Sequence, residues 1–203
     1  MLEKFLYICP GCKQLDALKT GDDGIVLCQN CGMNFHFDDE HNLVSESKGK
    51  RKTKSLSEWY EIIRKVKITE IEEKSFPKMK GEKLFAKSKR TEFYQEVPFK
   101  VFKGYKSIRA QLYKFKKIDE GSLYLSNKRL LFVGNKEYSI GIEELSSCTI
   151  ESHMVIINTK RGHAFSFEFL EESGKKWEDI IRDKVVEFHG VKGIREFQPK
   201  IAF

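Results

Sequence analysis

Four cysteines near the start of the chain restrict its fold more than any other feature. They form two Cys-x-x-Cys pairs, Cys9/Cys12 and Cys28/Cys31, with fifteen residues between the pairs. Proline and glycine lie within or directly after the pairs, and these residue types favour tight turns whose N–H groups can face the sulfur atoms. Two such pairs at this separation are typical of a tetrahedral metal site with four sulfur ligands.

The ligand set predicts a zinc ion with a structural role. Four thiolates fill a tetrahedral zinc site, whereas a catalytic zinc keeps one position for water or substrate. A disulfide pair is disfavoured because the start of the chain, Met1–Lys4, has no apolar run that would make a signal peptide. A redox Cys-x-x-Cys would normally occur once. Residues 1–45 are therefore predicted to form a zinc ribbon, with His36 and His41 on its surface.

Composition adds the size and the setting of the chain. The protein has 203 residues, of which 40% are hydrophobic and 33% charged, and this suits one ordinary domain plus a small one. A unit of about 45 residues rarely forms an adequate core without a metal. No stretch approaches the roughly 18 apolar residues of a membrane span. Reduced cysteines and abundant lysine predict a cytoplasmic protein, and Cys148 is expected to be a buried free thiol.

The positive charge is concentrated in the middle of the chain. Residues 1–47 hold three lysines and eight acidic residues, and residues 118–203 hold twelve basic and fourteen acidic residues. Residues 48–117 hold 22 basic residues and eight glutamates. This middle segment is expected to attract polyanions, either an anionic membrane surface or nucleic acid, unless it is simply a solvated lysine-rich surface.

A basic linker and a helix are predicted in residues 46–74. Ser45–Lys54 contains no apolar residue and indicates an exposed linker or a hairpin tip. Ser55 and Glu58 have the spacing of a capping box, and an apolar stripe with helical period follows from Trp59 to Val66. This stripe is expected to pack on the next domain or, alternatively, to lie on a membrane surface.

Strands dominate the pattern from residue 75 onward. Hydrophobic alternation predicts strands at Glu82–Lys89, Thr91–Val97, Tyr105–Lys117, Leu123–Leu125, Leu130–Val133, Cys148–Glu151, Met154–Asn158 and His163–Phe169. Ile118–Gly121 is predicted to be a turn. A final helix carries the apolar stripe Trp177, Ile180, Ile181, Val185 and Phe188 and stops at Gly190. The expected fold is mainly β: after the ribbon and the helix, residues 75–203 form a small antiparallel β-barrel capped by a C-terminal helix.

A resemblance supports that fold. The segment Gly121–Phe132, GSLYLSNKRLLF, resembles the central motif of GRAM and related pleckstrin-homology-like (PH-like) domains, with Leu123 and Leu125 pointing inward. Ile140–Leu145 and the helix around Trp177 resemble the segments that follow in this family. The resemblance covers about residues 75–190, and it implies a fold while leaving the ligand open.

The order of these parts is also similar to the region that follows the catalytic domain of some bacterial lysophosphatidate-type (1-acyl-glycerol-3-phosphate) acyltransferases. Those enzymes use a His-x4-Asp motif. In this chain the fifth residue after His36, His153 and His163 is His41, Asn158 and Glu168, respectively. The resemblance therefore implies an accessory or regulatory region, and no other catalytic motif argues for an enzyme.

The leading hypothesis is a non-catalytic adaptor that docks to an anionic membrane surface or to a protein partner. The basic residues expected to carry docking are Lys100, Lys103, Lys106, Arg109, Lys114, Lys116 and Lys117, and strand alternation places Lys114 and Lys116 on one face. Nucleic-acid binding is the alternative, because the basic run Lys48–Lys54 lies beside the ribbon. It is less favoured, since the ribbon is acidic and base recognition prefers arginine to lysine.

Overall fold

The chain divides into two units, Met1–Ile68 and Thr69–Phe203, each with its own core. This is seen in a computed structural model that describes residues 5–40, 42–47, 49–103, 109–151 and 154–189. The boundary between the units follows Ile68, whereas the sequence suggested separate segments at 1–45 and 46–74. Residues 46–68 belong to the same unit as the cysteines.

The described part of the first unit contains a five-stranded antiparallel sheet. Its strands pair in chain order: β1 (Leu18–Thr20), β2 (Val26–Cys28), β3 (Asn34–Phe37), β4 (Leu43–Ser47) and β5 (Lys50–Lys54). The sequence predicted either an exposed linker or a hairpin tip for Ser45–Lys54. The structure shows the hairpin, since Ser47 pairs with Lys50 across the turn. Gly49 in that turn has a φ of 74°, a left-handed conformation that glycine adopts without strain.

Helix α1 (Leu56–Arg64) follows the hairpin, and its predicted capping box is confirmed. The Glu58 N–H donates to Ser55 Oγ at 3.3 Å, and the Ser55 N–H donates to Glu58 Oε2 at 2.8 Å. The buried residues of the helix, Trp59 and Ile63, belong to the core that also contains Cys9. The expectation that this stripe packs on the following domain was therefore wrong, because its buried residues complete the first unit.

Within the described residues, the second unit contains eight strands and one long helix. The strands are β6 (Leu84–Lys87), β7 (Thr91–Lys103), β8 (Arg109–Ser126), β9 (Arg129–Val133), β10 (Glu137–Gly141), β11 (Leu145–Glu151), β12 (Met154–Thr159) and β13 (Ala164–Phe169), and the helix is α2 (Gly174–His189). The antiparallel order is β10-β9-β8-β7-β13-β12-β11, with β6 paired to β8. The sheet curls into a half-barrel, so the mainly β class and the C-terminal helix are confirmed. Within the described residues β10 and β11 form no ladder, and the predicted barrel is not closed.

One predicted turn is wrong. Ile118–Gly121 lies inside the 18-residue strand β8. The ladder shifts register here, because Phe93 pairs with Asp119 whereas the next residue, Tyr94, pairs with Lys117. Ile118 is therefore the extra residue of a β-bulge.

Aromatic rings fill the second core. Phe93 stacks on Phe167 with ring centroids 5.2 Å apart, and Phe169 stacks on Trp177 at 4.9 Å. Phe188 departs from the expected stripe of α2, since 52% of its surface is exposed.

Cys148 is buried in the second unit, as predicted. Burial raises the pKa of its thiol, so the sulfur stays protonated near neutral pH. Neither helix of the described chain has the length and apolarity that crossing a membrane requires.

Candidate metal centre and basic arm

The four predicted cysteines lie together in one cluster. Their sulfur atoms are all within 4.8 Å of one another. Two opposite separations, Cys9 Sγ to Cys31 Sγ and Cys12 Sγ to Cys28 Sγ, are each 3.7 Å. Ligands of a tetrahedral zinc with bonds of about 2.3 Å are about 3.8 Å apart, whereas a disulfide bond is about 2.05 Å. The cluster therefore has the dimensions of a four-thiolate metal site.

Two similar turns present these sulfur atoms. The Lys13 N–H donates to the Cys9 carbonyl at 2.8 Å, and the Gly32 N–H donates to the Cys28 carbonyl at 2.9 Å. Lys13 and Gly32 both have left-handed backbones, with φ of 62° and 71°. Each turn therefore begins at the first cysteine of a pair and ends at the residue that follows the second cysteine. His36 lies on β3 outside the cluster, and His41 lies outside the described residues.

The environments of the thiols differ. Burial raises the pKa of Cys9 and also that of Cys31. At Cys12 burial acts in the same direction, but hydrogen bonds from the Asn30 side chain and the Gln14 backbone outweigh it and lower the pKa to about 6. Cys12 therefore becomes a thiolate more readily than Cys9 or Cys31, and a cation is needed to hold four thiolates this close together.

The predicted basic residues that the structure describes lie on an extension of the second sheet. β7 pairs with β13 only from Thr91 to Gln95, and β8 pairs with β9 only from Ser122 to Leu125. Beyond these points residues 96–103 of β7 and 109–117 of β8 contact no third strand within the described chain. Residues 96–103 pair with 109–115, and Lys116 and Lys117 pair with Gln95 and Tyr94 at the base. We call this two-stranded ribbon the β7–β8 arm.

Three predicted lysines share one face of the arm. Leu112, Lys114 and Lys116 alternate along β8, and Lys100 pairs with Leu112, which places it on their face. Phe99 is the extra residue of a bulge, and the Lys114 ammonium lies 4.6 Å from the centroid of its ring.

The other predicted basic residues are not part of this group. The Lys117 ammonium lies 2.5 Å from Glu92 Oε1 and 3.2 Å from Glu120 Oε2, so two carboxylates already neutralise it. Lys103 and Arg109 pair at the far end of the described ladder, and their side chains lie outside the described part. Lys106 is also outside the described residues.

Sequence reasoning missed the apolar character of the arm. Phe99 is 59% exposed, Tyr113 54%, Val101 51% and Leu112 46%. A strand with one core face would have buried half of these side chains, but the arm has no core beneath it. The signal in the sequence was a continuous mixture of lysine and apolar residues, without a polar face of the kind that solvated strands show.

No model of a known protein family matches the chain, and a search of curated proteins finds no match. The functional argument therefore depends on the cysteine cluster and on the arm themselves.

Proposed function

We propose that this protein is a non-catalytic, zinc-stabilised docking protein that binds an anionic membrane surface through the β7–β8 arm. The observation that carries the proposal is the coincidence of lysines and exposed apolar side chains on a ribbon that protrudes from its sheet. Phe99, Leu112 and Lys114 bring both kinds of group to one place. Such a surface has an attraction for anionic headgroups and an apolar area that acyl chains can cover.

Zinc is the proposed metal because the donor set is all thiolate. Soft sulfur ligands in a closed tetrahedron favour zinc over magnesium or calcium, which prefer oxygen. Cys9, Cys12, Cys28 and Cys31 would hold it, and the full shell leaves no position for a substrate. Its contribution is to the folding of the first unit, where Cys9 and Cys28 are themselves part of the core.

A membrane is favoured over nucleic acid by the aliphatic members of the arm. Val101 and Leu112 offer nothing to a phosphate backbone or to a base edge, whereas both gain from insertion among acyl chains. Each basic residue near an anionic leaflet contributes about 1 kcal/mol, so Lys100, Lys114 and Lys116 together give a reversible attachment.

The cytoplasmic face of the membrane is the proposed site of action, as the reduced cysteines suggest. The GRAM and PH-like resemblance supports a docking role. The likeness to regions that follow lysophosphatidate-type acyltransferases suggests a membrane-bound acyltransferase as a partner. That partnership remains a prediction of the resemblance.

Liposome flotation tests the proposal. The zinc-loaded protein is mixed with vesicles of neutral phosphatidylcholine that contain increasing fractions of phosphatidylserine. We expect binding to rise with the anionic fraction and to fall strongly in the double variant Lys114→Glu/Lys116→Glu. Lys136→Glu/Lys160→Glu is the matched control, because it makes the same charge change at exposed lysines outside the arm.

Binding that ignores the anionic fraction, or that both double variants reduce equally, would contradict the proposal. Binding to single-stranded or duplex oligonucleotides, without binding to vesicles, would support the nucleic-acid alternative instead. Such binding would weaken steeply with salt.

A further inference from the structure

The first unit carries a second candidate binding surface beside the cysteine cluster. A pocket of about 360 Å³ opens there, and its apolar lining comes from Pro10, Met33, Trp59 and Ile62. This volume lies within the range of ligand pockets, about 300 to 1,000 Å³. The pocket is large enough to take one bulky apolar side chain. The orientation of the Trp59 indole is fixed by its N–H, which donates to the Leu43 carbonyl at 3.2 Å.

Three lysines of β5 line the same pocket. Lys50, Lys52 and Lys54 alternate along the strand, so all three lie on one face of the sheet, about 7 Å apart. Ser45 of β4, which pairs with Lys52 of β5, completes the polar part of the lining. No acidic residue lines the pocket within the described chain, although acidic residues outnumber lysines in residues 1–47. The positive strip is therefore local to this strand.

β5 is also the edge of its sheet. Among the described residues it pairs with β4 alone, and β1 lies at the opposite edge. An edge strand leaves alternate backbone N–H and C=O groups without a ladder partner, and an extended peptide can add to them as a new strand. Lysines on an edge normally block such pairing by repelling a second basic strand, but they favour a strand of opposite charge.

We propose that β5 and the adjacent pocket bind an extended acidic segment of a partner protein, in which the side chains on one face are acidic except for one that is bulky and apolar. Strand pairing along the free edge of β5 places the acidic side chains beside Lys50, Lys52 and Lys54, since both repeat every two residues. One bulky apolar side chain of the segment enters the pocket against Trp59. This surface is separate from the β7–β8 arm and does not depend on membrane binding.

The charge of the chain's own tail excludes it as the occupant. Gly190–Phe203 holds Lys192, Arg195 and Lys200 against a single glutamate. A basic segment of this kind would be repelled by the lysines of β5. A partner of opposite charge is therefore required.

The test uses the intact zinc-loaded protein and a fluorescently labelled, capped Glu/Leu peptide of about seven residues, in which three glutamates and one leucine occupy alternate positions on one strand face and threonine occupies the positions between them. Fluorescence anisotropy gives the affinity, and amide chemical shifts locate the site. We expect saturable binding, with the largest shifts in β5 and at the Trp59 indole N–H. Three control peptides are a Lys/Leu peptide, a block Glu-then-Leu peptide, and the Glu/Leu peptide with alternate backbone nitrogens methylated, which removes the donors that strand pairing needs.

Matched variants on one strand separate this site from general charge attraction. Each of Lys50→Gln, Lys52→Gln and Lys54→Gln is expected to weaken the Glu/Leu peptide about threefold, and the triple variant at least about tenfold. Arg51→Gln removes one charge from the same strand, but strand alternation places Arg51 on the opposite face of the sheet. It is expected to change the affinity by less than about twofold.

Three results would overturn the proposal. The first is no saturable binding of the Glu/Leu peptide. The second is equal binding of the block or methylated peptide, because that would show attraction without strand pairing. The third is an equal effect of Lys52→Gln and Arg51→Gln. A lysine-dependent complex with a single-stranded oligonucleotide, in the absence of peptide binding, would assign the strip to nucleic acid instead.

Discussion

Lys13 and Gly32 occupy the same position in the two cysteine turns, one residue after the second cysteine of each pair. Both backbones are left-handed, with φ of 62° at Lys13 and 71° at Gly32. Only glycine adopts this conformation without strain, and a residue with a side chain costs about 1 kcal/mol there. The first turn therefore carries a strain that the second does not.

Exchanging these residues should change stability in opposite directions. Gly32→Ala is expected to lower the free energy of unfolding of the first unit by about 1 kcal/mol, because alanine meets the left-handed penalty. Lys13→Gly is expected to raise it by up to about 1 kcal/mol, less the added entropy of the unfolded chain. Urea unfolding with zinc present at a fixed concentration, followed by fluorescence in a Trp177→Phe background so that Trp59 is the reporter, measures both.

Gly24→Ala is the control for this pair. Gly24 has a φ of 77° and lies outside both cysteine turns. We expect it to lose stability as Gly32→Ala does while leaving the affinity for the metal unchanged. If Gly32→Ala left the free energy of unfolding unchanged, the proposed cost of a side chain at this position of the cysteine turns would be contradicted.

The metal content should distinguish the clustered cysteines from the fifth. We expect one zinc ion per chain in the wild type and in Cys148→Ser, because Cys148 is buried in the other unit. Cys12→Ser and Cys31→Ser should lose zinc, since each removes one of the four thiolates. Elemental analysis after extensive dialysis, together with the absorption of a cobalt-substituted sample, measures the number and the type of ligands. An unchanged zinc content in Cys31→Ser would contradict a four-thiolate site.

A buried ion pair should hold the motif Gly121–Phe132 to the start of the second unit. Glu82 is fully buried, and its Oε1 accepts from Arg129 Nε at 2.9 Å and from Ser126 Oγ at 2.7 Å. Arg129→Met leaves this carboxylate without its cation and is expected to cost about 3 kcal/mol of stability. The double variant Glu82→Gln/Arg129→Met should be clearly more stable than Arg129→Met alone, as calorimetry of the intact protein would show.

The same pair predicts a pH dependence. Burial raises the pKa of Glu82, but Arg129 and the hydrogen bonds from Met79 N–H and Ser126 outweigh it, so the pKa lies below its ordinary value. A carboxyl group with a lowered pKa contributes stability above its unfolded pKa of about 4.3, and this contribution is lost as the pH falls through the folded value. We expect Glu82→Gln to show a smaller loss of stability than the wild type between about pH 5 and pH 3. If the free energy of unfolding of the two proteins fell equally over this pH range, Glu82 would not be the source of the pH dependence.

Features determined by short stretches of sequence were predictable. The capping box of Ser55 and Glu58 and the two Cys-x-x-Cys turns form from neighbouring residues. The convergence of the two pairs was predictable because their repeated spacing is typical of one shared metal site. The alternation of β13 and the stripe of α2 were equally local. These gave the class of the fold and the cysteine cluster.

Features that depend on distant strands were not predictable. Gly121 looked like part of a turn, but a Cβ added to it would lie 2.1 Å from the carbonyl oxygen of Val133, so glycine is required by a close strand-to-strand approach. In the same way Lys114 and Lys117 look alike in sequence. Only the ladder register shows that Lys117 meets Glu92 while Lys114 lies over Phe99.

The two kinds of side chain on the arm should contribute to membrane binding in ways that salt separates. Attraction between lysines and headgroups is screened by salt, whereas the burial of apolar surface is not. Phe99→Ala/Leu112→Ala is therefore expected to lose the part of vesicle binding that survives about 0.5 M salt, and Lys100→Gln/Lys116→Gln the part present only near 0.05 M. Met79→Ala, at an apolar side chain that is 51% exposed outside the arm, is the control and should change neither part. A salt dependence that is the same in both double variants would mean that the arm does not combine the two forces.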